Sequence, residues 1–212
     1  MPLAAFDLDG TLVDQAAAAQ LWAGEFAGAV GLSAGQADQT AAALVARRPK
    51  GEVFAELVAA WSLPVSADEV WASYRARMPE LVTCSEPDLD ALKDLREAGW
   101  TLGVVTNGMT DNQEGKIRRT GIADLVDGWV ISDDVGVRKP DRAIFEALAV
   151  RLRCPLAGWM VGDSLEMDVA GGNSAGLDTV WITTSAPDPS SSIQATTTAP
   201  TVAAAVRAMT AA

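Results

Sequence analysis

Phe6-Asp7-Leu8-Asp9-Gly10-Thr11-Leu12-Val13-Asp14 carries the strongest local signal in the chain. A short apolar run, Pro2-Leu3-Ala4-Ala5-Phe6, stops at one carboxylate, a second follows two positions on, and Gly10-Thr11 turns the backbone. The pattern predicts a buried strand delivering two acids to its carboxyl end. Asp7 and Asp9 then lie close enough to repel, and both ionise readily only with a cation between them. Oxygen-only ligands without histidine favour a hard ion, Mg2+ before Ca2+. With that ion in place one carboxylate can act as a nucleophile and the other can handle protons. Taken singly, the same pattern also fits a loop of solvated acids.

Beyond Asp14 the periodicity becomes helical over 16–30, 36–47, 52–61 and 67–78, the last opening with a Ser66-x-x-Glu69 capping box. No strand signal interrupts these runs, so 15–80 is expected to be a separate helical lid. Pro79, Pro87 and the helix start at Ser85 are expected to mark the return to the main domain. From there strands at 100–106, 128–132, 159–161 and 179–183 alternate with helices, one at 111–120, one opened by Lys139-Pro140 and one over 168–175. Such alternation predicts an α/β domain, a Rossmann-like doubly wound parallel sheet with ligands at the carboxyl ends of its strands. The domains are therefore 1–14 with 81–212, and 15–80. Residues 185–198, rich in Ser, Thr and Pro, are expected to be a loose surface segment, followed by a weak helix over 201–209.

Composition removes several chemistries. The 212 residues carry a net charge of -12 and no histidine. That excludes His-dependent triads and imidazole metal sites, and disfavours a nucleic-acid or anionic-membrane surface. No charge-free run is long enough to span a membrane, and Asp7 interrupts the only candidate leader, so a soluble cytoplasmic protein is expected. Cys84 and Cys154 form no metal or disulfide spacing and read as small core or boundary residues.

Three further motifs follow in order: Val105-Thr106-Asn107-Gly108, Arg138-Lys139-Pro140 and Gly162-Asp163-Ser164-Leu165-Glu166-Met167-Asp168. With Asp7-Leu8-Asp9-Gly10-Thr11 they resemble the haloacid dehalogenase superfamily, in its phosphatase branch with a small α-helical cap inserted after the first strand. The core over 99–145 is similar to pyrimidine nucleotide monophosphatases and N-acylneuraminate 9-phosphatases. The resemblance implies a Mg2+-dependent phosphomonoesterase acting on a small phosphorylated metabolite, a nucleoside monophosphate or a sugar phosphate. In it Asp7 is the nucleophile that forms an aspartyl-phosphate, and Asp9 is the acid and base. Thr106, Asn107, Gly108 and Lys139 bind the phosphoryl group, while Asp7, Asp163 and the backbone carbonyl of Asp9 hold Mg2+. Asp168 orients Lys139 or a metal-bound water.

Alternatives stand beside these expectations. A 2-haloacid dehalogenase-type hydrolase shares the fold, but those enzymes lack the acid/base residue present here as Asp9. A non-enzymatic phosphoacceptor switch also combines acids, a Thr and a Lys, yet needs no inserted lid. Thr106 alone could be a helix cap, and Asp168 alone the N-cap of the helix after it. Asp14, Asp133, Asp134 and Glu166 fit capping or loop solvation as well as tuning of the site. In the lid, Arg47-Arg48-Pro49-Lys50 either closes over the leaving group or a second anionic group of the substrate, through Arg48, or is a solvated helix end. Trp22, Trp61 and Trp71 either pack the helices or stack on a base or sugar. Monomer and homodimer remain equally open.

Overall fold

The computed structural model describes residues 1–46 and 48–211. Leu3–Phe6 forms β1, buried at every position, as expected of a central strand covered on both faces. The chain divides into two compact units, Met1–Val13 with Cys84–Ala212, and Asp14–Thr83.

The second unit is wholly helical among its described residues. Asp14 accepts from the Ala17 N–H to start α1 (Gln15–Val30), and left-handed Gly31 ends it. Ser33 and Gln36 form a reciprocal capping box at the start of α2 (Ala34–Val45). After α3 (Lys50–Ala60), a second box from Ser66 and Glu69 opens α4 (Ala67–Leu81). Buried Trp22 stacks on Phe26 at 4.9 Å between ring centroids and meets Phe54 and Tyr74 edge-on at 5.9 and 5.3 Å. That tryptophan packs the helices. Trp71 carries Arg75 over its ring, 5.7 Å from the centroid. Pro79, expected to mark the return to the main domain, lies inside α4. Its fixed φ is helical, and the Val82 N–H still reaches the Met78 carbonyl, so the last turn continues past it.

The first unit resumes with α5 (Glu86–Glu97), capped by Ser85 with Pro87 in its first turn. There follow β2 (Thr101–Thr106), α6 (Thr110–Arg119), β3 (Gly128–Ile131), the short α7 (Ser132–Val135), α8 (Arg142–Leu152) and β4 (Gly158–Gly162). A π-helical turn, Leu165–Val169, leads into α9 (Ala170–Ala175), and β5 (Asp178–Ile182), β6 (Thr197–Ala199) and α10 (Val202–Thr210) complete the unit. The six strands are parallel in the order β3-β2-β1-β4-β5-β6. A core cluster including Leu3, Val105, Ile144, Phe145, Leu148 and Met160 ties α8 to the sheet, with Cys154 partly buried against it.

The chain leaves β1 toward β2 and β3, then returns to β1's other side through β4. The order therefore reverses between β1 and β4, and the crevice beyond their carboxyl ends is where such sheets bind ligands. Register brings the two ends level, since Phe6 pairs with Val161 and the Asp7 N–H donates to the Val161 carbonyl.

Two other expectations are corrected. β6 forms at the end of the segment read as loose, where β-branched Thr197 and Thr198 pair with Val180 and Trp181. The helix after Lys139-Pro140 begins at Arg142, because Asp141 accepts the Ala143 N–H and is its N-cap.

Candidate active site

The turn after β1 sets the two acids on different paths. The Leu12 and Val13 N–H groups both bond the Leu8 carbonyl, and the Gly10 N–H bonds the Val13 carbonyl, closing a tight loop around Asp9. Gly10 has a φ of 84°, and a Cβ there would lie 2.6 Å from Asp163 Oδ2, so the carboxylate from beyond β4 sits directly over the loop. Only glycine meets both demands.

Asp7 points into a buried cluster. Lys139 Nζ donates to Asp7 Oδ1 and to Asp168 Oδ1, both at 2.6 Å, and all three residues are buried. Carboxylate oxygens of Asp7, Asp163 and Asp168 lie within 4.8 Å of one another. Burial pushes the Asp7 carboxyl up to about 8; the Lys139 ammonium pulls it down, and Asp168 and Asp163 add to the rise. Burial opposes the charge on Lys139, but Asp168 and Asp7 outweigh it and hold the ammonium above the usual lysine range. Three acids facing one lysine leave excess negative charge on an all-oxygen donor set, which fits a hard divalent cation.

Supporting residues account for this geometry. Asn107 accepts from the Lys139 N–H at 2.9 Å and donates to the Lys139 carbonyl at 3.1 Å, pairing both backbone groups of the lysine. Asn107, expected to bind substrate, thus positions Lys139. The Gly108 N–H, also expected to face the substrate, donates to Ser132 Oγ at 3.1 Å. Asp168 does not cap the helix after it: it lies inside the π-helical turn that Ser164 caps, and its Oδ2 accepts the Ser164 N–H at 2.9 Å from one turn further on. That bond fixes the carboxylate that holds Lys139. Trp181 Nε1 donates to the Asp163 carbonyl at 3.0 Å, anchoring the loop after β4.

Asp9 takes another direction. Its carboxylate meets Lys116 Nζ at 2.8 and 3.0 Å and Gln113 Nε2 at 3.1 Å, and the same Nε2 lies 2.7 Å from Thr106 Oγ1. Neither Gln113 nor Lys116 is singled out by sequence motifs. The available signal is that α6 has one large aliphatic residue, Ile117, so polar side chains must fill most of its buried face.

Other candidates stand apart. Asp133 and Asp134 accept from Thr110 at the start of α6, and Asp14 caps α1. Arg48 pairs with Glu56, Nη1 to Oε2 at 2.8 Å, and Lys50 Nζ donates to the Leu44 and Ala46 carbonyls. Arg47 lies outside the described residues. Burial and Asp88 push the Cys84 thiol up to about 12, leaving it a poor nucleophile.

Residues 1–176 match the model of the haloacid dehalogenase-like hydrolases. The chain belongs to that family. It is 41% identical over 83 residues to pyrimidine 5'-nucleotidase YjjG of Escherichia coli, a match covering 38% of this chain and 37% of the relative. It is 35% identical over 133 residues to ribulose-1,5-bisphosphate 5-phosphatase of Halopiger xanaduensis, covering 62% and 52%. The matches thus span about half or less of these curated relatives. Among solved structures, the HAD-hydrolase YfnB of Bacillus subtilis, bound to magnesium, superposes with a TM-score of 0.83 at 22% identity, covering 98% of both chains. At that identity the likeness concerns the fold. Among the described residues, no helix is long and apolar enough to cross a membrane.

Proposed function

We propose that this hydrolase is a Mg2+-dependent phosphomonoesterase that passes through an aspartyl-phosphate on Asp7. Its substrate would be a small phosphorylated metabolite of the cytoplasm, a nucleoside monophosphate or a sugar phosphate. The observation that carries the reading is the Lys139 ammonium set between Asp7 and Asp168, beside Asp163, at the point where strand order reverses. A buried carboxylate served by a fixed cation suits attack on phosphorus, because the ammonium can also neutralise phosphoryl oxygens. The names of the two curated relatives speak for nucleotide and sugar-phosphate substrates.

Asp7 attacks the phosphoryl group in line and the ester oxygen departs with a proton from Asp9. Asp9, now a carboxylate, takes a proton from the water that hydrolyses the aspartyl-phosphate, which returns both acids to their starting states. Thr106 donates its hydroxyl to a phosphoryl oxygen. Asp168 and Asn107 keep Lys139 in place throughout. The carboxylates of Asp7 and Asp163 and the backbone carbonyl of Asp9 would hold Mg2+, which when bound supplies charge neutralisation and polarises a phosphoryl oxygen. The helical unit Asp14–Thr83 corresponds to the inserted cap. Arg48 is left out of the binding set because its guanidinium already pairs with Glu56.

The test is inorganic phosphate release from a panel of nucleoside and sugar monophosphates, with Mg2+ or with EDTA. Release that needs Mg2+ and falls by about 10²-fold or more in Lys139→Met is expected. Release insensitive to EDTA, or no release from any ester, would overturn the reading.

A further inference from the structure

We propose that Gln113 and Lys116 of α6 act as a pair of positioning residues, fixing the Asp9 carboxylate and the Thr106 hydroxyl for phosphoryl transfer. The proposal rests on the phosphomonoesterase reading above. Lys116 is 1% exposed at its side chain and meets both oxygens of Asp9, whose side chain is 30% exposed. Burying an ammonium is expensive even when it is paired, and an apolar side chain of similar volume usually serves stability as well or better. The buried lysine is therefore better explained by what it holds than by packing.

Gln113 stands one turn before Lys116 on the same face of α6. The chemistry of its neighbours decides which way its amide points. Asp9 Oδ2 already accepts from the Lys116 ammonium, and the amide atom facing it is the nitrogen, which donates at 3.1 Å. That nitrogen also donates to Thr106 Oγ1, which leaves the threonine's own proton to be given to another acceptor. One amide thus orients both the acid/base carboxylate and the hydroxyl proposed to meet the phosphoryl group.

Gly108 gives independent support. A Cβ at this position would lie 2.8 Å from Gln113 Cγ and 2.9 Å from its Cδ, so the loop after β2 is bare where the glutamine crosses it. The glycine in Thr106-Asn107-Gly108 makes room for Gln113, while its N–H is spent on Ser132.

In the first half-reaction Asp9 gives its proton to the ester oxygen as the O–P bond breaks. Lys116 then faces the carboxylate left behind, which later takes a proton from the attacking water. Without Lys116 the carboxyl loses its fixed aim, and the loss is felt most where the leaving oxygen needs that proton.

The experiment compares kcat/KM for an alkyl phosphate and for p-nitrophenyl phosphate in wild type and in Lys116→Met. This ratio reports events up to departure of the leaving group, and nitrophenolate leaves without a proton. A fall of about 10²-fold is expected on the alkyl ester, at least tenfold more than on the aryl ester. A purely structural role lowers both equally, and the comparison is independent of the fraction folded. Equal loss, or no loss, overturns the proposal. If Lys116→Met does not fold, Gln113→Leu, which removes the other donor to Asp9, is expected to shift the ratio in the same direction. Wild type inactive on both esters contradicts the phosphatase reading, and the pair is then judged without substrate. The 15N resonance of the Lys116 ammonium moves in Asp9→Asn if the pair forms in solution, and an unmoved resonance overturns it.

Discussion

Asp7 occupies a site that is hostile to a carboxylate until a cation arrives. Its carboxyl is pushed from 3.8 to about 8, by burial first and then by Asp168 and Asp163 against the pull of Lys139. Between those values the metal-free folded protein keeps a proton that the unfolded chain has released. The folded state then binds more protons, so stability falls as pH rises. With no histidine in the chain, no other side chain has its ordinary titration between pH 6 and 8. Urea unfolding without metal should therefore lose up to about 1.4 kcal/mol per pH unit across that range. Asp7→Asn should flatten the slope, and a slope that survives this substitution would place the proton elsewhere. That Asp7, Asp9, Thr106 and Asp163 stand at or just past the ends of strands was legible in the apolar runs before them, whereas Lys139, beyond α7, and Asp168, inside the π-helical turn, stood out only through their motifs. The partner of each was not legible. Asn107 turning to the Lys139 backbone and Asp168 reaching back to Ser164 depend on loop geometry that no spacing encodes.

Elements were legible where periodicity and burial agree. β1 and β2 are apolar runs buried at every position, and the two capping boxes mark their helices plainly. The misses have local causes. Pro79 reads in sequence as marking the return to the main domain although its dihedral suits a helix, and β6 hides in a polar stretch that sheet pairing alone recruits. α6 was visible as a helix, yet its polar buried face acquires meaning only once Asp9 and Thr106 lie against it. Close approaches between elements make sharp predictions at two glycines. Gly10→Ala must adopt a left-handed conformation and meets the Asp163 carboxylate, so a loss of about 1–3 kcal/mol is expected by urea unfolding. Gly108→Ala is sterically possible only if Gln113 moves. It should therefore lower kcat/KM with a smaller stability loss than Gly10→Ala, and the reverse ranking would argue against the Gln113 crossing.

At the scale of the whole molecule, a net charge of -12 repels itself and opposes compaction. Raising NaCl should raise Tm gradually through screening, whereas Mg2+ at constant ionic strength should raise it further through specific binding. At a hundredfold excess over Kd the specific gain is about 2.7 kcal/mol. Asp163→Asn should remove the Mg2+ gain and leave the NaCl gain intact, and an undiminished Mg2+ gain would move the ion away from this cluster. Sheet order was not legible, since alternating strands and helices do not say where the chain turns back. The reversal between β1 and β4 is what brings Asp7 and Asp163 together from distant parts of the first unit's sequence.

The most direct test of the account is to trap the covalent intermediate. Asp9→Asn is mixed with p-nitrophenyl phosphate, whose leaving group needs no proton from Asp9, and Mg2+, then quenched in acid and digested, and the peptides are weighed by mass spectrometry. The account predicts a phosphoryl group, labile to hydroxylamine, on the peptide carrying Asp7, and none in Asp7→Asn. Substrate turned over by a protein whose Asp7 peptide never gains a phosphoryl group would contradict it.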